Sequence, residues 1–245
     1  MPISISVFTL GFLLGIRHAI DADHVIAIST IISKQKHMRG STRIGMLWGI
    51  GHSITVTLVA LPIIFFSLKI PLKIGMALEF SVGIMLVVLG IINLYGMRSQ
   101  IAKTIASIIH KHSHSHLGQE HYHLHIHPPN KSNNKTHHLE LFQVIRPILV
   151  GLIHGLAGSS AIAILILSTI NNSILAAFYL VIFHVGVLMG MMIITTLLGA
   201  SIKVANQKIA FINKYLVAGS GVLSVIFGLY VMHQTGFVGG LFMLY

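Results

Sequence analysis

Six long apolar segments limit what this chain can fold into more than any other feature. A helix needs about 20 mostly apolar residues to cross a bilayer core, and each segment reaches that length. We letter them A to F, and they cover residues 3–32, 44–68, 74–95, 142–170, 174–200 and 212–232. Only 9% of the residues are charged, against about 25% in soluble domains. The sequence therefore predicts an all-α integral membrane protein with six transmembrane helices and excludes a water-soluble enzyme as the default.

The basic residues are distributed unevenly between the connections. Of 16 Lys and Arg residues, thirteen lie near the connections A–B, C–D and E–F, whereas Lys69 and Lys73 lie on the other side and Arg17 lies within A. Short cytoplasmic connections are enriched in Lys and Arg. We expect a multi-pass protein of the cell membrane with both termini outside and the C–D connection in the cytoplasm. The net charge of +11 then reflects orientation and not nucleic-acid binding.

An internal repeat relates the two halves of the chain. The sequence LLGIRHAIDADHVIAI in A aligns with LVGLIHGLAGSSAIAI in D. The superposed pairs are Gly15 and Gly151, His18 and His154, Gly83 and Gly221, and Gly90 and Gly228, while His52 falls near the place of His184. Because each unit has three spans, an odd number, the two units cross the membrane in opposite directions. Inverted repeats of this kind are common in transporters. We expect two inverted three-helix repeats, residues 1–97 and 142–245, joined by a loop at 98–141.

Segment A carries a polar cluster, RHAIDADH, which begins at Arg17. Each charge at a bilayer centre costs about 2.5–3.5 kcal/mol, so the cluster must face protein, water or an ion. Arg17 and Asp21 lie four residues apart and can pair on one helix face, whereas Asp23 points to another side. No regular helix presents His18, Asp23 and His24 on one narrow face. Either A is distorted here or other helices complete the site.

Imidazole and carboxylate groups together suit a divalent transition metal. We interpret His18, Asp23 and His24 as metal ligands and include Asp21 in the candidate set. The alternative is that Arg17 and Asp21 lock the helix packing and that the histidines are hydrogen-bonded core residues. The chain has no Cys, which excludes zinc–thiolate sites and thiol catalysis.

Three further histidines, His52, His154 and His184, lie within apolar segments near glycines. Glycines let helices approach closely, so these side chains can converge with the cluster in A. A single hydrogen bond to a neighbouring backbone group is the alternative for each of them. Glu79 lies near the outer end of C, and we interpret it as part of a solvated helix end.

Two motifs resemble those of the nickel/cobalt permease family. The sequence RHAIDADHVIAI resembles its first signature, and GHSITV in B resembles its second. The resemblance implies transport of divalent nickel or cobalt, with His18, Asp23 and His24 as metal residues and His52 as their partner. The family's later acidic motifs are replaced here by HGLAGSSA in D and HVGVLMG in E. This departure is similar to the shorter branch that includes urease-associated nickel permeases.

The C–D connection is rich in histidine, with ten of the seventeen histidines between His110 and His138. Their spacing at every second residue is typical of an extended, disordered segment and not of a helix face. Such tracts chelate Ni²⁺, Cu²⁺ or Zn²⁺ through imidazole groups. We expect a role in metal buffering, delivery or sensing that the membrane helices do not need for transport. A solvated linker without function is the alternative.

These features favour a secondary transporter for nickel, or cobalt, in which ligands from A, B and D hold the ion while the two halves rock. The interior-negative potential favours cation entry by about 2.3 kcal/mol per charge per 100 mV, which allows import. The resemblance to the urease-associated branch implies import, and an exporter of the same fold, with the histidine-rich loop as a cytoplasmic capture site, is the alternative. The metal ion is then substrate and not cofactor, and the chain is not an enzyme. A homo-oligomer and a cytoplasmic nickel-delivery protein are candidate partners beside the ion and membrane lipid.

Two other classes remain as alternatives. An intramembrane metalloenzyme would need a general base, but the chain has no HExxH motif and no Glu beside the cluster in A. A membrane metal sensor would work through the histidine-rich loop.

Overall fold

The computed structural model describes residues 2–33, 38–66, 68, 71–108, 111–116, 119–124, 137–155, 169–170, 172–208 and 212–243. Within these ranges it contains seven α-helices, two short strands and one π-helical turn. The helices are α1 (Pro2–Ala19), α2 (Ala22–Ile32), α3 (Met38–Phe66), α4 (Leu72–Ile108), α5 (His137–His154), α6 (Ser173–Lys208) and α7 (Ile212–His233). The strands are β1 (Lys111–His116) and β2 (Gln119–Leu124), and the π-helical turn is Gln234–Val238.

Four described helices are long and apolar enough to cross a membrane. They are Arg39–Phe66, Leu72–Met97, Ser173–Val204 and Tyr215–Val238, which correspond to segments B, C, E and F. Segment A becomes a fifth span if α1 and α2, which meet at a bend of 51°, are counted as one. Segment D is represented by α5, whose apolar part, Val144–His154, is shorter. The rest of D, residues 156–168, lies outside the described residues. The helical membrane class is confirmed, with four or five of the six predicted spans in the described part.

Segment A breaks between α1 and α2, which is one of the two possibilities that the polar cluster left open. The last turn of α1 tightens, because Ile20 and Asp21 donate backbone hydrogen bonds to residues three positions earlier, Arg17 and His18. Asp21 then adopts an extended backbone with φ −57° and ψ 147°. The alternative of an ion pair between Arg17 and Asp21 is not found in the described structure, since the break removes the i, i+4 geometry that the pair needs. Arg17 lies exposed, and Asp21 contacts His18 instead.

Glycines set the helix packing around this break. α1 contacts α6 through Gly15 and Gly186, and α3 contacts α5 through Gly51 and Gly151. At each of these four positions a Cβ atom would collide with a backbone carbonyl of the facing helix. The helices therefore approach backbone to backbone, which shortens the distance between side chains on either side of the contact.

The pair α4 and α7 packs through glycines as well. The carbonyl oxygen of Gly228 lies 2.9 Å from the Cβ position of Gly83, and the reverse distance is 2.6 Å. Gly90 and Gly221 face each other in the same way. α2 contacts α4, α6 and α7 and so lies between this pair and the other helices. The break in A therefore places α2 at the meeting point of the bundle.

The histidine-rich connection is partly structured, which corrects the prediction of a disordered loop. β1 and β2 pair antiparallel, with His112 opposite His123 and His114 opposite His121. Alternation at every second residue suits a paired strand as well as an unpaired extended chain. The helices also reach into residues 98–141, because α4 continues to Ile108 and α5 begins at His137. The histidines of the tract at 110, 125 and 127 lie outside the described residues.

Candidate metal centre

Four histidines meet where segment A breaks. His18 ends α1, His24 begins α2, His52 lies in the middle of α3, and His154 ends α5. All four are buried, with at most 5% of the residue exposed. Buried imidazoles need a hydrogen-bond partner or a bound ion, so four of them in one place require a chemical explanation.

His18, His24 and His52 form the first of two groups that could hold a metal ion. One nitrogen from each of the three rings lies within 4.8 Å of the others. The Nε2 atoms of His18 and His52 are 3.0 Å apart. Neighbouring ligands of one ion with bonds of about 2.1 Å are also separated by about 3.0 Å. This ligand spacing applies where the two bonds meet at about 90°, and the same 3.0 Å is the length of the hydrogen bond that the two rings form in this structure. The spacing is therefore compatible with two ligands on a shared ion.

Asp23, His24 and His154 form the second group, and their ligand atoms also lie within 4.8 Å of one another. One carboxylate oxygen of Asp23 is 3.0 Å from Nε2 of His154, and the other is 3.2 Å from Nδ1 of His24. Asp23 stands in the first turn of α2, where the helix dipole favours a negative charge. Because His24 belongs to both groups, the two are neighbouring positions in one centre.

Carboxylates orient two of the imidazoles. The Nδ1 atom of His18 lies 3.2 Å from Oδ2 of Asp21. An ionised carboxylate only accepts hydrogen bonds, so Nδ1 of His18 donates and the lone pair of its Nε2 faces His52. By the same logic Nδ1 of His24 donates to Asp23, which leaves Nε2 of His24 free. A ligand histidine held by a carboxylate at its second nitrogen is typical of metal sites.

Several buried nitrogens of the centre have no partner in the described part of the chain. They are Nε2 of His24 and the Nδ1 atoms of His52 and His154. Each unsatisfied buried polar group costs about 1–3 kcal/mol. A cation that bound the free Nε2 of His24 would remove one of these costs, and the arrangement is therefore better suited to binding an ion than to packing alone.

Two of the predicted residues do not join either group. Asp21 has 36% of its side chain exposed and contacts only Nδ1 of His18 among the described centre residues. His184 lies in α6 and is half-buried, with its ring 5.8 Å from that of Phe183. The ring of Phe183 lies beside the centre, with its centroid 6.0 Å from that of the His18 ring. His184 is absent from both metal groups of the described residues, although its Nε2 is buried without a partner among them.

Whole-chain comparison decides the family. A family model described as NicO, high-affinity nickel-transport protein, matches residues 4–230. The chain belongs to this family. It is also 36% identical over 241 residues to the urease accessory protein UreH of Bacillus sp. (strain TB-90), a match that covers 98% of this chain and 96% of that protein. No solved structure matches the chain.

Membership of the NicO family confirms the resemblance to nickel permeases, including the urease-associated branch. It also confirms that the chain is a transport protein and not an enzyme. Together with the apolar helices, it makes this NicO protein a multi-pass membrane protein.

The positions of two residues near the centre of this NicO protein, Trp48 and Glu79, were not predicted from the sequence. Trp48 is fully buried, and its ring lies 6.1 Å from His24 in a stacked orientation and 5.5 Å from His154. It is the single Trp of the chain and stands one helical turn before His52, which is the signal that could have found it. Glu79, which we predicted as part of a solvated helix end, is exposed and also lines a cavity together with Asp23.

Proposed function

We propose that this chain carries Ni²⁺ across the cell membrane through the histidine centre at the α1–α2 break. The main support is the convergence of His18, His24 and His52, three buried imidazoles of which two are oriented by carboxylates. A dication that loses hydration water inside a membrane needs replacement ligands, and imidazole suits nickel and also cobalt. The family description names nickel as the transported ion.

The two groups supply two successive positions for the ion. Asp23, with 16% of its side chain exposed, is the more accessible part of the centre, and His18 and His52 lie buried behind it. The ion first binds Asp23, His24 and His154 and then His18, His24 and His52. His24 remains a ligand during this exchange, so the ion keeps a protein ligand while it moves between the positions.

The inverted repeat supplies the motion. Under the alignment of the two halves Gly15 corresponds to Gly151, and the glycine that each of them contacts, Gly186 or Gly51, lies in the second span of the other half. The contact of Gly83 with Gly228 exchanges with that of Gly221 with Gly90. Equivalent contacts of this kind support two related units, residues 1–97 and 142–245, that rock about the centre and expose it to each side in turn.

Import is the direction that we propose, with both termini outside and the histidine-rich hairpin of β1 and β2 in the cytoplasm. The membrane potential favours entry of a divalent cation by about 4.6 kcal/mol at 100 mV. Export is the alternative, and the hairpin would then capture excess metal inside the cell. A cytoplasmic delivery protein and a second copy of the chain are candidate partners in either case.

Uptake of radioactive nickel by cells that express the protein tests this function. Wild type should accumulate nickel above the background of control cells, with cobalt as a stronger competitor than magnesium. Asp23→Asn should reduce the uptake at least about 10-fold, because it removes the charge that joins His24 and His154. Lower nickel content than in control cells would show an exporter. Unchanged uptake in Asp23→Asn, at equal protein level in the membrane, would refute a path through this centre.

A further inference from the structure

A cavity of about 350 Å³ lies between α2, α4 and α7. Its wall includes the carboxylates of Asp23 and Glu79 and the polar side chains of Tyr230 and Gln234. Asp23 is also a member of the second metal group, so the cavity and the histidine centre share this residue. The cavity thus leads to the point where the buried centre is most accessible.

The polar residues of the cavity are unusual for their place in the chain. The whole sequence has five acidic residues, and Glu79 is the one that lies within the apolar span Leu72–Met97. A carboxylate in a span is unfavourable in lipid and is expected to face a water-filled space. Gln234 begins the π-helical turn Gln234–Val238, and π-helical turns are frequent at functional sites.

The size of the cavity suits a hydrated ion and not a bare one. Six waters occupy about 180 Å³ at the density of the liquid, so a dication with its first shell fits within 350 Å³. The amide of Gln234 and the hydroxyl of Tyr230 can bond to such waters, and Glu79 supplies negative charge. The cavity is formed near the start of α4 and the end of α7, which is the outer end of the bundle in the orientation given above.

We propose that this cavity is the outer vestibule of the transport path, in which Glu79 attracts hydrated divalent cations and delivers them to Asp23. This inference rests on the proposed nickel import, and it assigns to Glu79 a role in capturing the ion, distinct from the ligands that dehydrate it. A single carboxylate in a cleft with low-dielectric walls raises the local concentration of cations about 10-fold or more.

Thiol labelling tests the vestibule without any need for transport. The chain has no Cys, so Tyr230→Cys and Leu229→Cys each carry one thiol at nearly the same depth of α7. The two side chains are exposed to the same degree, 55% for Tyr230 and 53% for Leu229, but Tyr230 lines the cavity and Leu229 is outside its lining. Membrane-impermeant methanethiosulfonates added outside the cell should modify Tyr230→Cys and leave Leu229→Cys unmodified. A cationic reagent should modify Tyr230→Cys faster than an anionic reagent does. Glu79→Gln should lower the ratio of the cationic rate to the anionic rate about 3- to 10-fold.

Nickel uptake gives the second measurement. Glu79→Gln should raise the KM for nickel about 3- to 10-fold at unchanged maximal rate, because it weakens capture and leaves the ligands intact. Gln234→Glu adds a carboxylate to the same cavity and should lower the KM. Glu140→Gln, which removes the same charge from the first turn of α5, is the control for net charge and should change neither value.

The outcomes separate the two proposals. Failure of Tyr230→Cys to react from outside, or a charge ratio that Glu79→Gln leaves unchanged, would overturn the vestibule. A normal KM in both Glu79→Gln and Gln234→Glu would overturn the capture role of Glu79. If wild type takes up no nickel, the proposed import fails, while the labelling result still decides whether this cavity is an outward-facing, cation-selective space.

Discussion

His18 and His24 each place Nδ1 against a carboxylate, Asp21 in one case and Asp23 in the other. The second nitrogen of each ring is thereby directed toward the other histidines of the centre. The two carboxylates nevertheless differ in position, because Asp23 also reaches His154 whereas Asp21 stands at the partly exposed edge. At the scale of residues, the centre therefore contains ligands that meet the ion and one acid that orients a ligand.

His24 should be the most sensitive histidine, because it belongs to both groups. We predict that His24→Ala reduces nickel uptake to the background level. His184→Ala should retain more than about half of wild-type uptake, since Phe183 and not His184 faces the centre. Initial rates of radioactive nickel uptake, corrected for protein in the membrane, measure both. Equal losses in the two variants would contradict the grouping described here.

Asp21 should act through His18 and not as a ligand. We predict that Asp21→Asn raises the KM for nickel about 10-fold, the effect expected when the partner of a ligand histidine is lost. Arg17→Gln is the control, because Arg17 is exposed and does not pair with Asp21 in the described structure. An unchanged KM in Asp21→Asn would show that His18 needs no orienting carboxylate.

At the scale of elements, α4 contains two glycines in opposite environments. The Cβ position of Gly90 lies 2.6 Å from the carbonyl oxygen of Gly221, whereas nothing lies within 4 Å of the Cβ position of Gly75. We predict that Gly90→Ala destabilises the folded protein by about 1–3 kcal/mol, since the backbones must move apart. Gly75→Ala should be neutral or stabilise by up to about 1 kcal/mol, because alanine restricts the unfolded chain more than glycine does.

Thermal unfolding of the purified variants in detergent, followed by the loss of monodisperse protein, measures the difference. A midpoint temperature for Gly90→Ala equal to that of Gly75→Ala would contradict the close contact of α4 with α7.

Much of the centre could be predicted because polar side chains are conspicuous in apolar segments. His18, His24, His52 and His154 all stand out in this way, and the period of segment A already required either a distorted helix or ligands from other helices. The position of the break could not be predicted, because it depends on how α1 and α2 pack against different neighbours. The loss of the Arg17–Asp21 pair follows from that break. The place of His184 required the rotation of α6, which the contact of Gly15 with Gly186 fixes.

At the scale of the whole molecule, the histidine-rich hairpin should be separable from transport. β1 and β2 pair with each other, and the metal groups of the described residues lie in the helices. We predict that deletion of residues 110–138, replaced by a short Gly/Ser linker, keeps more than about half of nickel uptake. A metal sensor that works through the hairpin would lose its response. Loss of uptake with normal membrane insertion would contradict a permease whose centre lies in the helices.

The coordination of nickel in the purified protein tests the central claim most directly. X-ray absorption at the nickel edge, on the variant that lacks residues 110–138, reports the ligands of the helical centre alone. We predict about one nickel ion per chain, bound by nitrogen and oxygen with the scattering pattern of several imidazoles, and no such ion in a variant with His18, His24 and His52 replaced by Ala. Absence of bound nickel in the first protein, or the same spectrum in both, would contradict the account.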